Sequence, residues 1–188
     1  YMHSLQMHLD DFVLHEWVKS IPSDFKIRLS GYLSSSGALS QPHRVVATAH
    51  LDEMELQYRN MVLYGEPMIE ARLEQNQLKI PKIKLHSDAL QIEASLIHHL
   101  GEQAELKIFL EGGPGIIAQL IPNASASSGN ITGETLCQGL PSELLCKGNI
   151  SLQNGGIRLD SLGAELQNFS AEARLDGRVL TVRHAEGQ

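Results

Sequence analysis

The chain has 188 residues, 42% of them hydrophobic but only 5% aromatic, and its 15 Lys and Arg stand against 22 Asp and Glu for a formal charge of -7. An acidic balance with no basic run and few stacking aromatics is a poor match to nucleic acid, and no apolar stretch of about 18 residues exists to span a bilayer as a helix. The length allows one large or two small domains, and their apolar surface must be aliphatic, built from Leu, Ile, Val and Ala.

The opening Tyr1-Met2-His3-Ser4 carries no basic and apolar signal sequence and reads as an internal cut in a longer chain. Leu9 to Lys19 is the only stretch that predicts a helix: an Asp cap precedes it, Phe12, Val13 and Trp17 recur at helical spacing, and Pro22 ends it. From Phe25 onward apolar and polar residues alternate, the period of a strand with one apolar face. Ile27 and Leu29 begin it; Val45, Ala47, Ala49 and Leu51, then Met54, Leu56 and Tyr58, then Ile69, Ala71 and Leu73 continue it. Leu78 and Ile80, Ile83 and Leu85, then Leu90, Ile92, Ala94 and Leu96, then Leu106, Ile108 and Leu110 keep the period. It goes on through Ile116, Ala118 and Leu120, then Ile131, Ile150 and Leu152, Ile157 and Leu159, Phe169, Ala171, Ala173 and Leu175, and ends at Leu180 and Val182. The intervening residues are mostly Gln, Glu, Lys, Arg, Ser and His, so one face is wet and the other aliphatic.

Turns are expected at Ser36-Gly37, Gln41-Pro42, Gly65-Glu66-Pro67, Gly112-Gly113-Pro114-Gly115, Leu140-Pro141 and Asn154-Gly155-Gly156. Their spacing fits an antiparallel meander with little room for crossover helices. The small polar run Pro122–Gly129 reads as a linker between a first β segment over 1–121, which includes the helix, and a second over 130–188 that continues the same sheet.

One phrase is written twice: EARLEQNQLKI from Glu70 to Ile80 and EARLDGRVLTV from Glu172 to Val182. Each copy is a strand, a short polar break and a strand, and Asp176-Gly177 supplies the positive φ of a tight hairpin. Beyond the linker, Gly129-Asn130-Ile131-Thr132 returns as Gly148-Asn149-Ile150-Ser151, and Leu136-Cys137-Gln138-Gly139 as Leu145-Cys146-Lys147-Gly148. If Leu140-Pro141-Ser142-Glu143 closes a four-residue hairpin loop, Cys137 lies opposite Cys146 within disulfide reach. Such a bond implies an oxidising compartment; the alternative is two small buried thiols.

Catalytic signatures are missing: there is no Gly-x-Ser-x-Gly elbow, phosphate loop, dinucleotide fingerprint or His-Glu-x-x-His, so no enzyme and no cofactor are expected. Asp11 with His15, and the pair His98-His99, read as solvated surface features, and two cysteines cannot close a zinc site alone. Four of the seven asparagines head formal glycosylation sequons, at Asn123, Asn130, Asn149 and Asn168. Two of them belong to the Gly-Asn-Ile repeat, so they read as turn and strand-edge chemistry.

The order Leu14…Ile21-Pro22, Leu29-Ser30-Gly31-Tyr32-Leu33, Gly37-Ala38-Leu39-Ser40-Gln41-Pro42 resembles the TamB-type translocation and assembly modules and their AsmA-like relatives. So does the later run Gly129-Asn130-Ile131-Thr132-Gly133, Gly139-Leu140-Pro141, Gly148-Asn149-Ile150-Ser151-Leu152, Asn154-Gly155-Gly156-Ile157-Arg158 and Ala173-Arg174-Leu175-Asp176-Gly177. The resemblance runs from about Leu9 to the end; the cysteine pair and the abbreviated Gly139-Leu140-Pro141 depart from it. It implies an all-β, elongated antiparallel sheet curled into a taco-like groove with an apolar interior. It further implies a periplasmic, inner-membrane-anchored parent protein of a Gram-negative bacterium, tethered to the membrane through other parts of its chain. Such a protein would shield phospholipid acyl chains on their way to the outer membrane and support outer-membrane protein assembly with a barrel partner.

On that reading the groove is lined by Leu73, Leu78, Ile80, Leu85, Leu90, Ile92, Leu96, Leu106, Ile108, Leu110, Ile150, Leu152, Leu175, Leu180 and Val182. A lining without polar anchors would let an acyl chain slide, each buried CH₂ contributing about 0.8 kcal/mol. The alternative is a secreted or surface structural or adhesive β-sandwich or β-solenoid, whose apolar face is a closed core.

Overall fold

The structure, a computed structural model, describes residues 2–14, 24–38, 42–59, 61–116, 124–141, 143–159, 163–177 and 179–187. Its strands are β1 (Met2–Val13), β2 (Phe25–Ala38), β3 (Val46–Tyr58), β4 (Met61–Gly65), β5 (Ile69–Glu74) and β6 (Gln77–His86) in the first half. In the second half they are β7 (Leu90–His99), β8 (Ala104–Gly112), β9 (Ala124–Gly139), β10 (Leu145–Leu159), β11 (Ala164–Asp176) and β12 (Val179–Glu186). All twelve belong to one sheet in the order β1-β2-β3-β4-β6-β7-β8-β9-β10-β11-β12, with β5 between β3 and β6 beyond the end of β4. Every pairing is antiparallel, as a meander of short connections requires.

The two copies of the duplicated phrase fold alike. β5 and β6 pair through Leu73↔Leu78 and Glu74↔Gln77, with Gln75 and Asn76 at φ 51 and 61 in the two-residue turn. β11 and β12 pair through Leu175↔Leu180 and Asp176↔Val179, with Gly177 at φ 65.

Three local expectations give way. Leu9–Val13, expected to open a helix, is strand paired to β2, while 15–19 lie outside the described residues. His3, Leu5, Met7 and Leu9 already alternate at period two, and pairing with β2 gives that alternation an apolar face to join. Asp11 is not a helix cap; it sits at φ 48 in a bulge, its N–H donating to Ser30 Oγ at 3.2 Å. Ala124–Gly129, expected as most of the linker, is the start of β9 and pairs with the far end of β10, so both β segments share one sheet. Ile116, expected on a strand, is helical together with Pro114 and Gly115; Ala118 and Leu120 lie outside the described residues.

Two turn signals lie inside strands rather than between them. Ser36-Gly37 lies within β2, and Asn154-Gly155-Gly156 forms a bulge in β10 where Asn154 has φ 53 and the register against β9 shifts. A third bulge, between Ile80 and Ile83, accommodates Pro81, which could not donate to a regular ladder in a central strand. It also keeps both isoleucines on the same face.

Seven apolar residues are buried among those described, and four of them, Leu63, Leu85, Leu90 and Ile116, form one cluster at one end of the sheet. The accessible surface is 12593 Å², against about 8,900 Å² expected of a compact monomer of 20.7 kDa. An open sheet with one buried cluster among the described residues contributes to that excess.

Candidate functional site

Directly opposed residues in a sheet share a face, so the register alone maps the aliphatic side. One row runs Leu85↔Ile92↔Leu110↔Gly133↔Ile150↔Ala173↔Val182 across six pairings. A second runs Ile83↔Ala94↔Ile108↔Thr135↔Gly148↔Leu175↔Leu180, and a third Leu90↔Gly112↔Ile131↔Leu152↔Ala171. A fourth runs Ile80↔Leu96↔Leu106↔Cys137↔Cys146, beside which Leu73↔Leu78↔His98 completes the edge. All fifteen residues expected to share one face are in these rows.

Two of the fifteen, Leu85 and Leu90, are buried; Leu180 and Val182 on β12 are 55% and 62% exposed, and the other eleven are half-buried. On β1, at the other edge of the sheet, Leu5 and Met7 on the same face are 51% and 43% exposed. The face is therefore covered at one end and open toward both edge strands.

At the covered end Ile116 packs over Gly112: a Cβ on Gly112 would meet Ile116 Cγ2 at 2.9 Å. Met54, Leu56, Met61, Ile131 and Phe169 pack against the same cluster. Those residues, with the β1 side chains, belong to the face although they were not among the fifteen. Met54, Leu56, Ile131 and Phe169 already stand in the alternation read from the sequence, and the period-two spacing of Leu5, Met7 and Leu9 is the signal for the β1 side chains.

The Cys137–Cys146 disulfide bridges β9 and β10 in the fourth row, with Cα atoms 3.9 Å apart and Cys137 buried. The hairpin register that placed the two cysteines opposite each other holds, with Gln138↔Leu145 next to them. His98 and His99 point to opposite faces. His98 Nδ1 is buried without a hydrogen-bond partner, while His99 Nε2 lies 3.0 Å from Gln77 Nε2. No group of three His, Cys, Asp or Glu able to hold a metal lies together among the described residues.

Among the described residues, the four rows of the aliphatic face carry no Asp, Glu, Lys or Arg, and ion pairs lie on the other face. Arg72–Glu74 at 2.8 Å, with Lys82–Glu93, Lys84–Glu66 and Lys107–Glu105 each at 3.0 Å, are exposed ion pairs on outward residues. Such pairs add little stability, but they fix which side faces water. A concavity of about 870 Å³ is also on this polar side, and Ile108 is the only one of the fifteen in its lining. The aliphatic face is thus a broad surface rather than a closed pocket. No helix among the described residues is long and apolar enough to cross a membrane.

Comparison of the chain with protein-family models, curated proteins and solved structures finds no match in any of the three.

Proposed function

We propose that the chain is a segment of a periplasmic hydrophobic conduit, a sheet curled into a taco-like groove that shields phospholipid acyl chains between inner and outer membrane. In this reading the parent protein is anchored in the inner membrane and acts with an outer-membrane barrel protein. One observation carries the reading: a twelve-stranded sheet presents a continuous aliphatic face that is mostly half-buried and reaches both edges uncovered. An aliphatic surface of that extent in water calls for an occupant. The resemblance to TamB-type modules supplies its chemistry, and the disulfide fits an oxidising compartment.

The closed-core alternative draws support from the Leu63, Leu85, Leu90 and Ile116 cluster, but that cluster covers one end only. A sealed sandwich would bury the eleven half-buried residues and present a much smaller surface. Organic extraction of gently purified protein, together with photo-crosslinkers placed at Ile92 and Leu106, tests the conduit. Co-extracted phospholipid and crosslinks to acyl chains are expected; protein free of lipid that never crosslinks to one rules it out. Binding of a hydrophobic fluorescent probe by the folded monomer separates an open face from a sealed one.

A further inference from the structure

The concavity on the polar side is lined mainly by outward residues of β7 to β12, with Ala94, Ile108, Thr135 and Gly148 of the second row between them and Pro81 at the β6 bulge. At about 870 Å³ it falls within the size range of small-molecule sites. Its two ends differ in chemistry. On β8 and β9, Phe109 is 48% exposed and Leu136 is half-buried, giving an apolar floor beside the charged residues of the lining.

On β10, β11 and β12, Lys147, Arg174 and Arg183 line this concavity, with Lys147 and Arg183 on opposite sides of Arg174 along the strands and Arg183 at the β12 bulge. Arg174 is opposite Asn149, one step diagonal from Lys147, and opposite Thr181, one step diagonal from Arg183. Diagonal neighbours are about 7–8 Å apart, within reach of long side chains.

The remaining charges of the lining are accounted for. Glu93 is held by Lys82, and Lys107 by Glu105, both at 3.0 Å. The Glu105 carboxyl is kept below its ordinary range first by the hydrogen bond from Lys107, then by one that Gln138 Nε2 donates at 3.0 Å. Three cations then face one carboxylate, Glu134, in a protein whose net charge is -7. None of the three has an ion-pair or hydrogen-bond partner among the described residues, although Asp176 stands opposite Lys147 in the register.

We propose that this cleft binds a small organic phosphate, its anionic end held by Lys147, Arg174 and Arg183 and its apolar end resting on Phe109 and Leu136. Arginine forks suit the planar pairs of phosphate oxygens, and the lysine adds a point charge. From Phe109 to Arg174 is three strand spacings, about 14 Å, so the ligand is elongated rather than a bare anion. This site lies on the face opposite the proposed conduit and stands independently of it.

Calorimetric titration of the oxidised protein with biphenylyl phosphate, inorganic phosphate and hydroxybiphenyl tests the assignment. Biphenylyl phosphate is expected to bind at least tenfold more tightly than either fragment, and more weakly as salt rises. The Arg174→Gln, Arg183→Gln double variant changes only exposed side chains and should lose at least tenfold while keeping its circular dichroism spectrum. Phe109→Ser should erase the preference over inorganic phosphate. Ile150→Arg, on the aliphatic face, should leave binding unchanged. Equal binding of inorganic phosphate, unaltered affinity in the double arginine variant, loss of binding in Ile150→Arg alone, or no binding at millimolar ligand would each overturn the proposal.

Discussion

Ile108 offers a direct test of the aliphatic face as a lipid track. In its row it stands between Ala94 and Thr135, two small side chains, so it is the tallest apolar group at that point, and it lies outside the buried cluster. In Ile108→Arg, an acyl chain crossing the row loses contact with its hydrocarbon over about three or four methylenes. At about 0.8 kcal/mol each this comes to about 3 kcal/mol, roughly a 100-fold loss of retention. The guanidinium can snorkel toward the open side, which spares the fold but leaves a charge where hydrocarbon would pass. Gln91→Arg puts the same charge on β7 pointing to the polar face and serves as control. Lipid co-purifying with each protein would be quantified by extraction and mass spectrometry, after circular dichroism and thermal unfolding confirm that both are folded. Lipid should be largely lost from Ile108→Arg and kept by Gln91→Arg. Equal lipid content in the two folded variants would refute the assignment of the aliphatic face to acyl chains.

Three further outcomes concern the sheet itself. Replacing Cys137 and Cys146 by Ala should cost about 2.7 kcal/mol, from the entropy of closing a loop of about ten residues, read as a lower stability extrapolated to water from denaturant unfolding. Untreated protein should show no free thiols in a denaturing thiol assay. Gly31→Ala should destabilise by at least about 2 kcal/mol, because Gly31 has φ 154 and a Cβ there would overlap the His50 carbonyl of β3; an unchanged midpoint would contradict the close approach of the two strands. Gln75→Gly should raise stability by up to about 1 kcal/mol, since a non-glycine residue at φ 51 carries a left-handed penalty that glycine does not; thermal unfolding checks it.

Much of the sheet was legible because its signal is simple. Alternation from Phe25 onward fixes which residues share a face, and a turn between Glu74 and Gln77 or at Gly177 fixes how two strands meet, so the fifteen face residues and the cysteine register could be read directly. What failed did so where a local signal competes with sheet pairing. Asp10-Asp11 before Phe12 reads as a helix cap, yet the same Asp tolerates positive φ and serves a bulge equally well. Ala124–Gly129 is poor in β-branched residues, and its place in β9 comes from backbone pairing with β10 rather than from propensity. The cleft at Lys147, Arg174 and Arg183 joins residues distant along the chain through strand order, which alternation does not encode.

The contrast between the two faces bears on how a conduit of this kind would work. Across four rows the aliphatic face carries hardly any polar side chains besides Thr135 and His98, so an acyl chain on it meets no fixed hydrogen-bond partner and no preferred stopping point. Transfer from one row to the next exchanges equivalent hydrocarbon contacts, and its free energy is close to zero at every step. Directionality then has to come from the ends: the Leu63–Leu85–Leu90–Ile116 cluster bounds the face at one end of the strands, while Leu5 and Met7 on β1 and Leu180 and Val182 on β12 leave it open at both sheet edges. A chain entering along β12 would therefore move across the strands toward β1 rather than along them past the cluster. Crosslinkers placed in series at Val182, Ile150, Leu110 and Ile92, one row on successive or alternate strands, should capture the same lipid at every position. Capture confined to the residues around the cluster would mean a single seat for one ligand and no track.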